Sequence, residues 1–461
     1  MRWTTIFSAL ILITVSTVAS IQCHSIHKRD SDDSKVFLTP YIKSGKIFQA
    51  RAAGQVKNLP NAPDITSYAG YLTVNQTTNA NLFFWFFPSE NPKAPVAVWL
   101  QGGPGAASVF ALFTENGPFI VHQNMSVTLR KYSWTNMFSM IYIDQPVGTG
   151  FSFTDSQEGY VTDMQGVADD LYEFMQQFYQ MFPEQKANDL WITGESYGGR
   201  YVPSMAYKLH QERASSNINF KGVAIGDGYV DGVIQNNYAD LLYQIGMFDE
   251  RQRKMGAKYE RLVEKLAKEE KWQECHDTLD VYLGGDRINA TFFSNSTGSK
   301  NYFNFLKVTD NNDPFTDYLA RDDVRQAINV GNHTMSDGEQ VYNHLMQDFC
   351  KSVKPWLEEL INAEYEVLLF NGQLDIIVAP VLTEKLIDAM QWSGKAVFKN
   401  TPKKIWRLDD EPNDVAGYVT SYQNFHFAVV RKAGHMVPGD QPKWAYDLIQ
   451  KLVNGKLNYL P

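Results

Sequence analysis

Cysteine is nearly absent from this chain. Its 461 residues include three, Cys23, Cys275 and Cys350, and none stands in the CxxC or CxxH spacing of a metal site. A disulfide-stapled scaffold is excluded; one bridge, Cys275 to Cys350, is expected, leaving Cys23 in the N-terminal segment. Positive charge is also short. Lys and Arg total 42 against 51 Asp and Glu, a formal charge of -9, which excludes the basic face that a nucleic-acid binder requires. The apolar run at residues 6–18, within MRWTTIFSALILITVSTVAS, is too short for a comfortable membrane span. It follows an arginine and ends at the small residues Ala19 and Ser20, so residues 1–20 read as a secretory signal peptide and no stable membrane insertion is expected. Repeats and low-complexity tracts are missing too.

What is present is the material of a large globular domain, 44% of it hydrophobic. Six short apolar segments, VAVWL (96–100), MIYI (140–143), LWIT (190–193), GVAIG (222–226), EVLLF (366–370) and HFAVV (426–430), each end at a loop rich in Gly, Pro, Asn or Asp. Buried strands of a mostly parallel sheet read this way. Helical spacing lies between several of them, most clearly over 163–182, where Met164, Val167, Leu171, Phe174, Met175 and Phe178 share a face. The fold class is α/β, a central sheet with helices on both faces. One interval breaks the alternation: about 232–345 carries the charged run DERQRKMGAKYERLVEKLAKEEKWQE and reads as a helical cap insertion with a solvated face. The catalytic domain is placed at 61–461, and residues 21–60 are an N-terminal arm or a removable propeptide, with a basic pair in HSIHKRD.

The segment GESYGG follows LWIT and precedes a helical pattern. A G-x-S-x-G sequence at a strand-to-helix junction makes a tight turn that lifts a strained serine above the sheet, here Ser196. Such a serine needs a base, and His435 in RKAGHMVPGDQP stands in a Gly/Pro loop just past an apolar strand. The orienting acid is expected between them and after a strand, which Asp375 in NGQLDIIV satisfies; Asp409, Asp410 and Asp414 are rivals in a polar stretch. Ser, Asp, His is the chain order of the α/β-hydrolase fold. Oxyanion donors are the backbone N–H of Tyr197 and, in WLQGGPGAAS, that of Gly103.

In chain order, WLQGGPG, YIDQPVGTGFSF, GESYGGRYVP, NGQLDIIV and AGHMVPGDQP resemble the motifs of the serine carboxypeptidase family from about residue 65 to the C-terminus. Gln101 in place of the commoner asparagine makes the chain most similar to the vitellogenic carboxypeptidase-like branch. Ala106 and Ala107 stand where many members have GPGCSS, so a disulfide anchored there is missing. The resemblance implies release of single amino acids from peptide or protein C-termini, with the terminal carboxylate held by Gln101, Glu115 and Glu195. Clustered carboxyls raise one another's pKa and share protons, so binding is expected to favour acidic pH. Met436 is expected to add apolar surface beside His435.

Sequons at Asn75, Asn124, Asn289, Asn295 and Asn332 agree with a secretory route to the exterior or the lysosome. The expected partner is the peptide substrate, with no metal and no cofactor, in a monomer or homodimer. An acyltransferase or esterase, or a protective binding protein on the same fold, stands as the alternative; a yolk-type storage role rests on the branch name alone.

Overall fold

The computed structural model describes residues 34–285, 287–308 and 314–460. The expected signal peptide, the HSIHKRD segment and Cys23 lie outside the described residues. The described residues form twelve strands: β1 (Tyr68–Asn75), β2 (Ala80–Phe87), β3 (Val96–Leu100), β4 (Phe119–Val121), β5 (Val127–Leu129), β6 (Ser139–Asp144), β7 (Leu190–Glu195), β8 (Phe220–Gly226), β9 (Glu366–Gly372), β10 (Lys404–Trp406), β11 (Gly417–Tyr422) and β12 (Phe425–Val430). Apart from the β4–β5 hairpin they make one sheet in the order β1-β2-β6-β3-β7-β8-β9-β12-β11-β10.

The six apolar segments of the sequence become the parallel centre, β6-β3-β7-β8-β9-β12. Their side chains alternate between two buried layers: Val98, Ile192 and Leu369 enter one, Trp99, Trp191 and Phe370 the other. A strand covered on both faces has no polar side to show, hence the unbroken apolar runs. The antiparallel margins β1, β2, β10 and β11 were not anticipated, although ANLFFWFF in β2 is buried throughout. The helix expected over 163–182 forms at Met164–Met181, where the Asp163 carboxylate caps the N-terminus by accepting from the Gly166 N–H at 2.8 Å.

Between β8 and β9 the described residues contain helices and no strand. The charged run becomes Glu250–Lys268, opened by a capping box between Asp249 and Gln252, with only Gly256, Val263, Leu266 and Ala267 buried. At its downstream end the insertion is anchored to the helix Gly198–Gln211 by a buried ion pair. Arg200, 1% exposed, donates to Asp348 Oδ2 at 2.6 Å and to the Lys351 carbonyl, and its guanidinium lies 5.5 Å from the Tyr197 ring centre. Removing one member of such a pair strands the other's charge. Arg200→Ala is expected to lower stability by about 3–5 kcal/mol, read from the denaturant midpoint, with Arg200→Met plus Asp348→Leu recovering most of it. A single Ala variant with an unshifted midpoint would refute this role.

Residues 34–60 pack on the domain: Leu38, Ile42 and Ala50 are buried in the core and the Leu38 N–H donates to the Tyr71 carbonyl at 2.9 Å. One sequence expectation is revised: Cys275 and Cys350 are free thiols rather than a bridge. They lie in contact in an apolar cluster with Val263 and Leu266, where hydrogen bonding to Cys275 and burial push the Cys350 thiol up and keep it a poor nucleophile.

Candidate active site

The C-terminal ends of adjacent parallel strands deliver the chemistry, as open α/β sheets do. β7 turns into the helix Gly198–Gln211 through Ser196, whose φ is +62°. That left-handed conformation is strained for a residue with a Cβ and needs external support. The Ser196 N–H donates to the Gly226 carbonyl at 3.0 Å and its carbonyl accepts from the Tyr229 N–H at 2.9 Å, tying the elbow to the end of β8. On the other side the loop after β3 presses on the elbow. A Cβ on Gly102 would lie 2.5 Å from the Tyr197 nitrogen and 2.7 Å from Ser196 Cβ. Nothing in WLQGGPGAAS distinguishes Gly102 from its neighbour Gly103; the close approach exists only in the folded chain. Asp144, from YIDQPVG, secures this region by accepting from the N–H groups of Val109 at 3.2 Å and Phe151 at 3.0 Å.

β9 and β12 supply the next pair. The His435 Nδ1–H donates to Asp375 Oδ2 at 2.8 Å, and both residues are buried. Asp375 Oδ2 also accepts from the Val378 N–H at 3.2 Å. His435 Nε2 makes no hydrogen bond; serine–base contacts commonly tighten only when substrate is bound. The histidine loop is pinned by a bond from the His435 N–H to the Phe303 carbonyl at 2.7 Å and by Asp440, which accepts from the Gly434 N–H at 2.7 Å. Of the rivals, Asp409 and Asp410 are exposed and Asp414 is half-buried, and Asp414 is paired with Lys432 at 2.8 Å.

Beside the serine, the Trp99 indole N–H donates to Gln101 Oε1 at 2.7 Å, and Gln101 Nε2 donates to Glu195 Oε1 at 3.1 Å. The indole contact fixes which end of the amide faces the glutamate. Glu115, at the end of the helix Ser108–Thr114, stands beside Glu195, with both of its carboxyl oxygens buried and lacking a donor. Burial pushes Glu115 up to about 7. Burial and then the Glu115 charge push Glu195 well above the ordinary carboxylate range.

Gln101, Gly103, Glu195, Ser196, Tyr197 and His435 share the wall of one cavity of about 410 Å³. Met436 lines it too, whereas Glu115 and Asp375 stand behind the lining. The cap insertion supplies part of the cavity wall, as a cap beyond the strand ends should, through residues the sequence does not mark: Leu279 and His276, bonded through Nε2 to the Tyr342 hydroxyl at 2.7 Å, with Phe349 just after the insertion. Nothing local in the sequence marks these residues, because the docking of the helical insertion alone turns them inward. Asp227, directly after β8, satisfies the same criterion as Asp375, an acid just past an apolar strand, and had not been distinguished. Asp227, Asp375 and His435 form the one set of three or more ligand-type groups found among the described residues, with atoms within 4.8 Å of one another.

The serine carboxypeptidase family model matches residues 58–455. The chain belongs to that family. As a serine carboxypeptidase it is 46% identical over 441 residues to "Probable serine carboxypeptidase CPVL" of Homo sapiens, covering 94% of this chain and 92% of the relative. It is 43% identical to the "Venom serine carboxypeptidase" of Apis mellifera, covering 94% of each. "Vitellogenic carboxypeptidase" of Aedes aegypti is 40% identical, covering 92% and 90%. Among solved structures, the prohormone-processing carboxypeptidase Kex1 of Saccharomyces cerevisiae superposes with a TM-score of 0.76 at 22% identity, over 88% of this chain and 96% of that one. That likeness concerns the fold, an α/β-hydrolase.

Proposed function

We propose that this serine carboxypeptidase cleaves the terminal peptide bond with Ser196 as nucleophile, His435 as base and Asp375 as the group that orients the imidazole. Ser196 attacks the scissile carbonyl as its proton passes to His435 Nε2. The N–H groups of Gly103 and Tyr197 receive the oxyanion, the second aided by the N-terminus of the helix Gly198–Gln211. His435 returns the proton to the leaving amino acid, and water, activated by the same base, hydrolyses the acyl-enzyme.

The observation that carries the exopeptidase reading is the Gln101, Glu195 and Glu115 cluster beside the serine. Two ionised glutamates would repel a peptide carboxylate, whereas protonated ones donate hydrogen bonds to it. Both groups are pushed up, Glu115 to about 7. Below that pH the pair is neutral and accepts the substrate; above it the first proton leaves and a negative charge faces the substrate carboxylate. KM for blocked dipeptides is therefore expected to stay flat on the acid side and to rise by up to about tenfold per pH unit above 7. The C-terminal amides of the same dipeptides, which carry no charge there, should show no such rise. A KM that is flat for both forms from pH 5 to 8 would remove the assignment.

The acidic preference fits delivery to an acidic or external compartment. All five sequon asparagines, Asn75, Asn124, Asn289, Asn295 and Asn332, are exposed and able to carry glycans.

A further inference from the structure

Asp227 is a fully buried acid with no part in the mechanism above. It follows the last residue of β8 with φ at +44°, and its N–H donates to the Phe370 carbonyl at 2.8 Å. The strand order puts β8 between β7, which carries Ser196, and β9, which carries Asp375. Asp227 Oδ1 accepts from the Gly372 N–H at 2.9 Å and from Asn371 Nδ2 at 3.2 Å. Its other oxygen, Oδ2, receives only a longer approach of 3.3 Å from the same Gly372 N–H. Asp375 has the complementary gap: Oδ2 is taken by His435 and Val378, while Oδ1 is buried with no donor from any other side chain or backbone N–H. The two carboxyls lie within 4.8 Å, and among the described residues neither forms an ion pair with Lys or Arg.

We propose that Asp227 is a positioning residue for the hydrolysis: its carboxyl carries a proton on Oδ2 and donates it in a hydrogen bond to Oδ1 of Asp375, fixing the plane of the carboxylate that orients His435. Two buried like charges at this separation repel strongly, and one shared proton removes the repulsion while satisfying the orphan oxygen. Burial, followed by the neighbouring Asp375, holds the Asp227 carboxyl well above the ordinary range. With the shared proton on Asp227, the Asp375 carboxylate remains the partner of the imidazolium formed as Ser196 attacks.

The inference rests on the triad reading, and its test separates the two. Asp227→Asn and Asp227→Ala are each titrated with a fluorophosphonate to count active sites, and kcat and KM are then measured per titrated site on a blocked dipeptide. Asparagine presents the same carbonyl to Gly372 and Asn371 and the same donor to Asp375. The Ala variant is expected to lose about 10- to 100-fold in kcat per site, the worth of a hydrogen bond to a buried charge. Its KM should hold, because Asp227 does not line the cavity. The Asn variant should recover most of that loss. An Ala variant with wild-type kcat per site, however much less stable, would reduce Asp227 to a packing role and overturn the proposal; so would an Asn variant as impaired as Ala. Failure of Ser196→Ala to abolish fluorophosphonate labelling would instead remove the triad reading itself.

Discussion

Replacing Ser196 with alanine is expected to lower kcat/KM for a blocked dipeptide by at least about 10⁴-fold. The substitution deletes the only protein atom in the proposed mechanism that bonds to the scissile carbon. It leaves the elbow's supports, the bonds to Gly226 and Tyr229, in place because both involve the backbone. Thermal stability should therefore hold. The carboxylate cluster of Gln101, Glu195 and Glu115 is also untouched, so equilibrium binding of the peptide should persist at acidic pH. Rate loss with retained binding is the signature of a group that acts in the transition state. Activity within about a hundredfold of the parent, with the protein shown free of wild-type contamination, would mean that another residue is the nucleophile.

Gly102→Ala should cost about 10²-fold or more in kcat/KM, although Gly102 performs no chemistry. Its added Cβ would lie 2.5 Å from the Tyr197 nitrogen and 2.7 Å from Ser196 Cβ, inside any real van der Waals contact. Neither neighbour can retreat cheaply. Ser196 is bonded on both sides to the end of β8, and Tyr197 begins the helix Gly198–Gln211, whose Arg200 is locked to Asp348. The strain would shift the serine and the proposed oxyanion donor together. Displacements of about an ångström at reacting atoms cost about 10²-fold. An Ala variant with parental kcat/KM would show that the loop after β3 yields, and that the close approach is not needed for catalysis.

Legibility in the sequence followed the range of the interaction. The six central strands could be read because a parallel strand is buried on both faces and its apolar run is local information. β1, β2, β10 and β11 were missed although β2 is as apolar as any, since an antiparallel margin depends on which partner it meets. Ser196, Asp375 and His435 could be proposed because strand-end position and chain order are both properties of the linear chain. The free state of Cys275 and Cys350 could not be read, because spacing along the chain says nothing about whether two cysteines that meet in an apolar cluster are bridged or left as thiols.

By itself the sequence determined an α/β sheet, a strained serine at the end of one strand, and an acid and a histidine at the ends of two others. Backbone rules and burial act within a few residues, and these features need nothing more. Only the tertiary structure decided that His276 and Tyr342 close the cavity and that Asp227 stands against Asp375. Each of those contacts joins residues far apart in the chain, and their consequence, whether a carboxyl keeps or loses its proton, depends on the exclusion of water that packing alone achieves.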